Sequence, residues 1–200
     1  MTIAKVRTII SALSLLTLVL CLVAQSTWVS ILMIVVCLFC ALALLWRNLP
    51  LLSDLEEDNP KLRTVRFVTA FNSLCFLSIA VLMVLVATET VTLTEESESV
   101  IVSVIFSIVI LGLGNICPKL PFTRHTGLRL PWTVADESTW ILAHRILGYT
   151  AIPFGVCNLI VMFSAQSADY RAGFSIGIFL LWVGIASIVS AHYFYRGGVI

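Results

Sequence analysis

Charge is scarce in this sequence of 200 residues. Only 12% of the residues are charged and 60% are apolar, whereas a soluble domain carries roughly 25% charged residues. This composition excludes water as the solvent for most of the protein surface. The net charge is +1 and the basic residues form no continuous stripe, so a nucleic-acid partner is not expected.

Several chemistries are also missing. The central parts of the hydrophobic segments hold no Asp, Glu, Lys or Arg, although pumps and ion-coupled transporters usually need an ionisable group there. No serine or cysteine lies in a nucleophile motif, and His125, His144 and His192 lack a metal-ligand spacing. We therefore expect no catalytic residue, metal or cofactor. The cysteines lie in or beside apolar runs, so a redox role for Cys37-x-x-Cys40 is not expected either.

Long uncharged segments are what the sequence does contain. Because backbone groups in lipid must bond within their own segment, and none of these segments alternates like a barrel strand, they are predicted to be helices. The predicted fold class is all-α, a polytopic membrane protein with about six transmembrane helices. The predicted spans are Thr8–Ala24, Trp28–Trp46, Val65–Ala87, Val100–Ile116, Ile146–Phe163 and Ala172–Tyr195.

The basic residues lie in alternate connections. They precede the first span, lie between the second and third spans and between the fourth and fifth, and follow the sixth. The connections on the opposite side contain glutamates, and their only basic residue is Arg171. Since positively charged loops stay in the cytoplasm, both termini are predicted to be cytoplasmic. We predict two three-helix regions, residues 1–98 and residues 99–200, the second with a cytoplasmic loop at residues 117–145.

Two groups of polar or small residues interrupt the spans. Asn72 and Asn158 are interpreted as forming hydrogen bonds between helices in preference to a substrate site. Gly173, Gly177 and Gly184 are predicted to let neighbouring helices approach closely.

The connection between the fourth and fifth spans combines basic, aromatic and helix-breaking residues. Its prolines predict an ordered, mostly non-helical lid from Pro118 to Trp132. Thr133, with Asp136 three residues on, has a capping-box spacing, so a helix is predicted to start at Thr133. Trp140, His144 and Gly148 then share one face of that helix.

Taken together, these residues resemble the signature of SdpI-type membrane proteins from about Val100 onward. The matching elements are Gly114-Asn115, Pro118-Lys119, Gly127-Leu128-Arg129-Leu130-Pro131-Trp132-Thr133, Trp140, His144-Arg145 and Gly148. Residues 122–126 have no Asn where the family often has one, and Leu130 stands where Thr is commoner. The resemblance implies a binding site formed by Asn115, Pro118, Gly127, Arg129, Pro131, Trp132, Thr133, Trp140, His144, Arg145 and Gly148.

The family's prototype is a bacteriocin immunity protein, so the resemblance implies a multi-pass protein of the bacterial inner membrane that protects against a membrane-active peptide toxin. It also implies a signalling role in which a cytosolic transcriptional repressor is recruited to the membrane. The expected partners are therefore membrane lipid, a peptide toxin and such a repressor. By its chemistry, Arg129 can contact a carboxylate or phosphate, while Trp132 and Trp140 can serve as apolar anchors.

Other interpretations stay open. Arg129, Trp132, Trp140 and Arg145 could simply anchor helices against lipid headgroups. A membrane enzyme or transporter could handle a lipid-linked cell-envelope substrate at the cytoplasmic leaflet, with His144 as acid or base and Arg129 on a phosphate. The chain could also be a structural subunit of a larger complex. The sequence favours binding over catalysis without deciding between them.

Overall fold

A computed structural model describes residues 3–23, 27–53, 55–56, 58–123 and 126–197. Every regular element in these ranges is helical. The chain divides into two compact units, Met1–Thr92 and Leu93–Ile200. The second unit thus begins just before a helix that starts at Glu95.

The first unit contains four helices: α1 (Ile3–Val23), α2 (Thr27–Arg47), α3 (Leu49–Ser53) and α4 (Pro60–Ala87). Helix α1 packs against α2, and α4 packs against α2 and α3. Asn59 sets the start of α4, because its side chain accepts a hydrogen bond from the Lys61 backbone N–H at 2.9 Å. Cys37 and Cys40 both carry free thiols.

The second unit is a three-helix bundle. Helix α5 (Glu95–Ile116) leads through a 3-10 turn (Cys117–Lys119) to a long loop, followed by α6 (Glu137–Ser164) and α7 (Ala168–Tyr195). Each of these helices packs against the other two. We call the end with the α5–α6 connection the loop end, and the end with the short α6–α7 connection the turn end.

Within the described residues, five helices are long and apolar enough to cross a membrane: Trp28–Arg47, Pro60–Ala87, Glu95–Lys119, Glu137–Ser164 and Ala168–Tyr195. Helix α1 occupies the first predicted span as far as Val23 but is not among these five, and Ala24 lies outside the described residues. The prediction of an all-α polytopic membrane protein is confirmed.

Glycines bring α5 and α6 together. A Cβ atom on Gly114 would collide with the Cβ of Ala151, and one on Gly155 would lie 2.5 Å from Leu111 Cδ2. Close backbone approach through small residues is a common way of packing helices in lipid.

The sequence had assigned this role to Gly173, Gly177 and Gly184, but none of the three lies at a helix contact among the described residues. No described atom lies within 4 Å of a Cβ position at any of the three. These glycines therefore leave open space along α7 instead of a tight helix contact.

A polar ladder joins the three helices in the half of the bundle nearer the turn end. Ser103 Oγ of α5 lies 2.8 Å from Ser175 Oγ of α7. Asn158 Nδ2 of α6 donates to the Ser103 carbonyl at 3.0 Å and to Ser107 Oγ at 2.9 Å. The predicted interhelical role of Asn158 is therefore confirmed, whereas Asn72 makes no side-chain hydrogen bond with the described residues.

Arg171 closes this ladder at the turn end. Its side chain is buried and donates from Nε to the Met162 carbonyl at 3.0 Å and from Nη2 to the Ala165 carbonyl at 3.0 Å. Nη1 donates to Ser99 Oγ at 2.8 Å, and the exposed Glu96 carboxylate lies 4.0 Å from Nη2. Arg171 therefore satisfies carbonyls at the end of α6 that lack a partner within that helix.

Candidate functional site

The residues predicted to form a binding site gather at the loop end of the second unit. We call residues 120–136 the lid, of which 124 and 125 lie outside the described residues. As predicted, this segment is mostly non-helical, with turns between Pro131 and Ala135. Leu120, Pro121 and Thr123 are buried, so the lid is packed against the protein.

His144 fastens the lid to α6. The Leu128 backbone N–H donates to His144 Nε2 at 3.0 Å, so Nε2 must be the unprotonated nitrogen. His144 Nδ1 lies 2.8 Å from the Trp140 carbonyl, which can only accept, so Nδ1 carries the proton. The ring is therefore a neutral, almost fully buried imidazole with both nitrogens occupied.

Trp140 packs against the inner side of the lid. Its ring is fully buried, stacks on the His144 ring with centroids 4.0 Å apart, and meets the edge of Phe122 at 5.7 Å. Gly127 crosses above this pair with φ +106, where a Cβ atom would collide with His144 Nε2 and lie 2.7 Å from Trp140 Cη2. Glycine is the residue that fits this backbone conformation and this space.

Thr133 lies within the lid and does not begin a helix, so the predicted helix start is wrong. Its hydroxyl donates to the Leu128 carbonyl at 2.7 Å and accepts from the Leu130 N–H at 2.9 Å. Because these bonds occupy the hydroxyl inside the lid, it cannot cap a helix. Helix α6 begins instead at Glu137.

Asp136 is the residue that caps α6. Its carboxylate accepts from Ser138 Oγ at 2.5 Å and from the Thr139 N–H at 2.7 Å. These hydrogen bonds, with that of Ser138 the strongest influence, lower the pKa of Asp136 from 3.8 to about 2. The carboxylate therefore fixes the point at which the lid ends and the helix starts.

Trp132 attaches the lid to α7. The side chain is half-buried and donates from Nε1 to Ser190 Oγ at 3.1 Å. Its ring also lies 6.4 Å from the ring of Tyr195, measured between centroids. The lid is thus tied to α6 through His144 and to α7 through Trp132.

Gly148 of α6 also contacts Pro118, which lies in the 3-10 turn just before the start of the lid. A Cβ atom on Gly148 would collide with Pro118 Cγ, so the glycine lets the 3-10 turn lie directly against α6. Both residues belong to the predicted site, and their contact supports the fold of the loop end.

The predicted site residues therefore divide into two groups. Seven of them build or anchor the loop end: Pro118, Gly127, Trp132, Thr133, Trp140, His144 and Gly148. The other four have exposed side chains and take no part in these contacts: Asn115, Arg129, Pro131 and Arg145. Arg129 and Arg145 form no hydrogen bond or ion pair with the described residues. Arg129 is thus an exposed cation on a loop that is hydrogen-bonded to α6 and α7.

No group of three His, Cys, Asp or Glu side chains within the described residues could hold a metal ion. His144 cannot become a ligand without breaking one of its two hydrogen bonds. His192 is exposed on α7, and His125 lies outside the described residues.

Charge differs between the two ends of this unit. The loop end exposes one acid within the described ranges, Glu137, and several bases, which are Lys119, Arg129, Arg145 and Arg196. The turn end exposes only acids in those ranges, which are Glu95, Glu96, Glu98 and Asp169. Its base, Arg171, is buried.

Sequence reasoning missed several residues that shape this region. Phe122 contacts Trp140 and Ser190 contacts Trp132, and neither belongs to the family-like pattern. The serines of the polar ladder recur every four residues along α5, at positions 99, 103 and 107. That spacing places them on one helix face, so it was a readable signal for the ladder.

Comparison with protein-family models gives a match in the second unit. Residues 119–193 fit the model of the SdpI/YfhL protein family. Searches of curated proteins and of solved structures found no match. The matched segment contains the lid, all of α6 and most of α7. The second unit of this chain therefore contains a segment, Lys119 to Tyr193, that matches the SdpI/YfhL family model, in agreement with the resemblance of its sequence.

Proposed function

We propose that this chain is an immunity or signalling protein of the bacterial plasma membrane that protects the cell against a membrane-active peptide toxin. The observation that carries this proposal is the lid, which is closed over Trp140 and His144 and leaves Arg129 exposed without a partner among the described residues. The family region that contains the lid supports it. In this proposal the lid is a binding surface, with Arg129 as its recognition residue.

The hydrogen bonds that hold the lid in place support a binding role. His144, Thr133 and Trp132 each hold the segment through hydrogen bonds to a defined partner. A surface that is already ordered loses little conformational freedom when a partner binds. Little of the binding free energy from Arg129 would therefore be lost to ordering the loop.

The chemistry of Arg129 defines the group it would recognise. A guanidinium binds a carboxylate or phosphate through two parallel hydrogen bonds. Such groups occur on acidic surfaces of cytosolic proteins and on the headgroups of anionic lipids. The bases at the loop end and the acids at the turn end favour a cytoplasmic lid, because positive loops are retained there.

A cytoplasmic lid is better positioned for signalling than for first contact with a toxin that arrives from outside. We infer that the lid binds a cytosolic partner when the toxin is bound to the membrane helices, and so signals that the toxin is present. Catalysis on a lipid-linked substrate is disfavoured, because the buried His144 has no free nitrogen for proton transfer in this conformation.

The test is the sensitivity of bacteria that lack or express the chain to a panel of membrane-active peptides. Expression should raise the inhibitory concentration of at least one peptide. Arg129→Gln should weaken the responsible interaction about tenfold to a hundredfold, the value expected for a lost hydrogen bond to a charged group. Arg63→Gln is the matched control, because Arg63 is also exposed but lies on α4.

Equal sensitivity of expressing and non-expressing cells to every peptide would contradict the immunity role. Equal protection by the Arg129→Gln and Arg63→Gln variants would instead remove Arg129 from the mechanism. Membrane fractions should contain equal amounts of all variants, which a blot measures.

A further inference from the structure

An apolar groove runs along the outer side of α6 and α7, away from the lid. Its volume is about 430 Å³, within the range of roughly 300–1,000 Å³ that is typical of ligand pockets. Pro153, Phe154 and Cys157 of α6 form one wall, and residues of α7, among them Gly177 and Leu181, form the other.

The absence of a side chain at Gly177 of α7 leaves room in this groove. Gly177 lines it, and Gly173 lies one turn nearer the turn end. A Cβ atom at either position would meet no described atom within 4 Å. Glycines spaced by four residues let a second helix backbone come close in a membrane, where tight packing drives association. The shape therefore fits a helix.

Negative charge lies at the end of the groove nearer the turn end. Asp169 is exposed, four residues before Gly173 on the same side of α7, and forms no ion pair with the described residues. The acids at the start of α5 are exposed at the same end of the bundle. Arg171 does not neutralise Asp169, because its guanidinium is buried and bonded to α5 and α6.

We propose that this groove docks an apolar transmembrane helix that carries lysine or arginine at the turn end. Charge complementarity selects this occupant over a second copy of the chain. Copies whose basic loops stay on one side of the membrane share one orientation, so a second α7 in the groove would bring its own Asp169 close to the first. Like charges at short distance oppose association.

The docked helix would thus be held by two separate features. The glycine-lined groove provides close packing, and the acidic end provides the preference for a basic partner. This docking site goes beyond the proposed role of the lid and does not depend on Arg129, which lies at the opposite end of the bundle.

Cys157 offers a direct chemical test, because its thiol is exposed and lines the groove. The full chain is placed in phosphatidylcholine vesicles with a synthetic Leu-Ala helix of about 20 residues, long enough to span the bilayer. The peptide carries lysines at one end and a cysteine about two turns from them, which matches the depth of Cys157 below the end of α6. A second peptide carries glutamates instead. An added thiol oxidant, copper–phenanthroline, accepts the two electrons released when each disulfide forms. The products are mapped by mass spectrometry, with the exposed Cys40 of α2 as the collision control.

The lysine peptide should crosslink to Cys157 about two- to fivefold more than the glutamate peptide, the ratio expected for one exposed charge pair. Asp169→Asn should reduce that preference. Gly177→Leu should reduce crosslinking of both peptides by filling the groove. Gly184→Leu should leave it unchanged, because Gly184 has the same open surroundings but does not line the groove.

Three results would overturn the docking site. Equal crosslinking of the peptides at Cys157 and Cys40 would mean random collision. A Cys157–Cys157 product without peptide would identify a second copy as the occupant. Absence of any peptide product at Cys157 would leave the groove to lipid chains. Arg129→Gln should retain crosslinking, so a failure of the lid proposal is distinguishable from a failure of this one.

Discussion

Replacing Gly127 with alanine should open the lid. The substitution forces a side chain into a residue with φ +106 and drives its Cβ into His144 Nε2, the atom that accepts the Leu128 N–H. The collision is relieved when the lid moves away from α6 or when the His144 ring turns away from the lid, and either movement separates Leu128 from Nε2. The bond between Leu128 and His144 should therefore be the first contact to break.

The magnitude follows from two contributions. A positive φ costs an L residue roughly 1–2 kcal/mol. Loss of the hydrogen bond to His144 removes a further ~0.5–1.5 kcal/mol. The sum of about 1.5–3.5 kcal/mol corresponds to an increase in the open population of about 10-fold to 400-fold.

Hydrogen exchange of the Leu128 amide measures this population, because the amide exchanges when the lid opens locally. Exchange is followed by mass spectrometry on the full chain in lipid nanodiscs. Gly197→Ala is the control: Gly197 also has a positive φ, of +70, but no described atom lies within 4 Å of its Cβ position. This control should leave exchange at Leu128 unchanged. Unchanged exchange in the Gly127→Ala variant would refute the closed lid.

Three further predictions concern other contacts. Asp136→Ala should destabilise the start of α6 by about 1 kcal/mol. Because the folded-state pKa of Asp136 is lowered from 3.8 to about 2, its stabilisation is complete above pH 3.8 and is lost as the pH falls through 2, which amide exchange at Thr139 can follow. Arg171→Leu should lower the thermal midpoint in detergent, since it leaves two part-buried carbonyls without a donor, each at a cost of up to about 3 kcal/mol, whereas Arg196→Leu, at an exposed position, should not. Asn158→Ala should cost about 0.6 kcal/mol, the mean for interhelical hydrogen bonds in membranes, and no loss of stability would remove its bridging role.

Much of the fold could be predicted because lipid permits few solutions. Segments such as Val65–Ala87 and Ile146–Phe163 are long enough to span hydrocarbon and must bond internally. Hydrophobicity nevertheless marks the part of a helix that lies in lipid, and not the helix ends. Helix α5 begins at Glu95, ahead of the predicted Val100, because Thr94 and Ser97 form a capping box outside the apolar run.

The site was only partly predictable. The family-like spacing identified the residues that meet at the loop end, but it could not separate those that build the lid from those that face outward. Trp140 looked like a surface anchor and is fully buried. Thr133 and Asp136 both suit a helix start, and the choice between them depends on a bond from Thr133 to Leu128 within the lid.

Arg171 shows a different limit of sequence reasoning. In the sequence it is a basic residue in a short connection on the side opposite the cytoplasm. It is therefore an exception to the rule that positively charged connections stay in the cytoplasm. In the fold it is a buried residue bonded to the ends of two other helices. Nothing in its local sequence specifies those partners, because they come from α5 and α6.

The most direct test of the lid is the protonation state of His144, measured by nitrogen NMR on the full chain in lipid with labelled histidine and leucine. His144→Gln assigns the signal among the three histidines. The closed lid predicts a neutral ring with the proton on Nδ1 and a scalar coupling between Nε2 and the Leu128 amide. A ring protonated on Nε2, or one without coupling to Leu128, would contradict it.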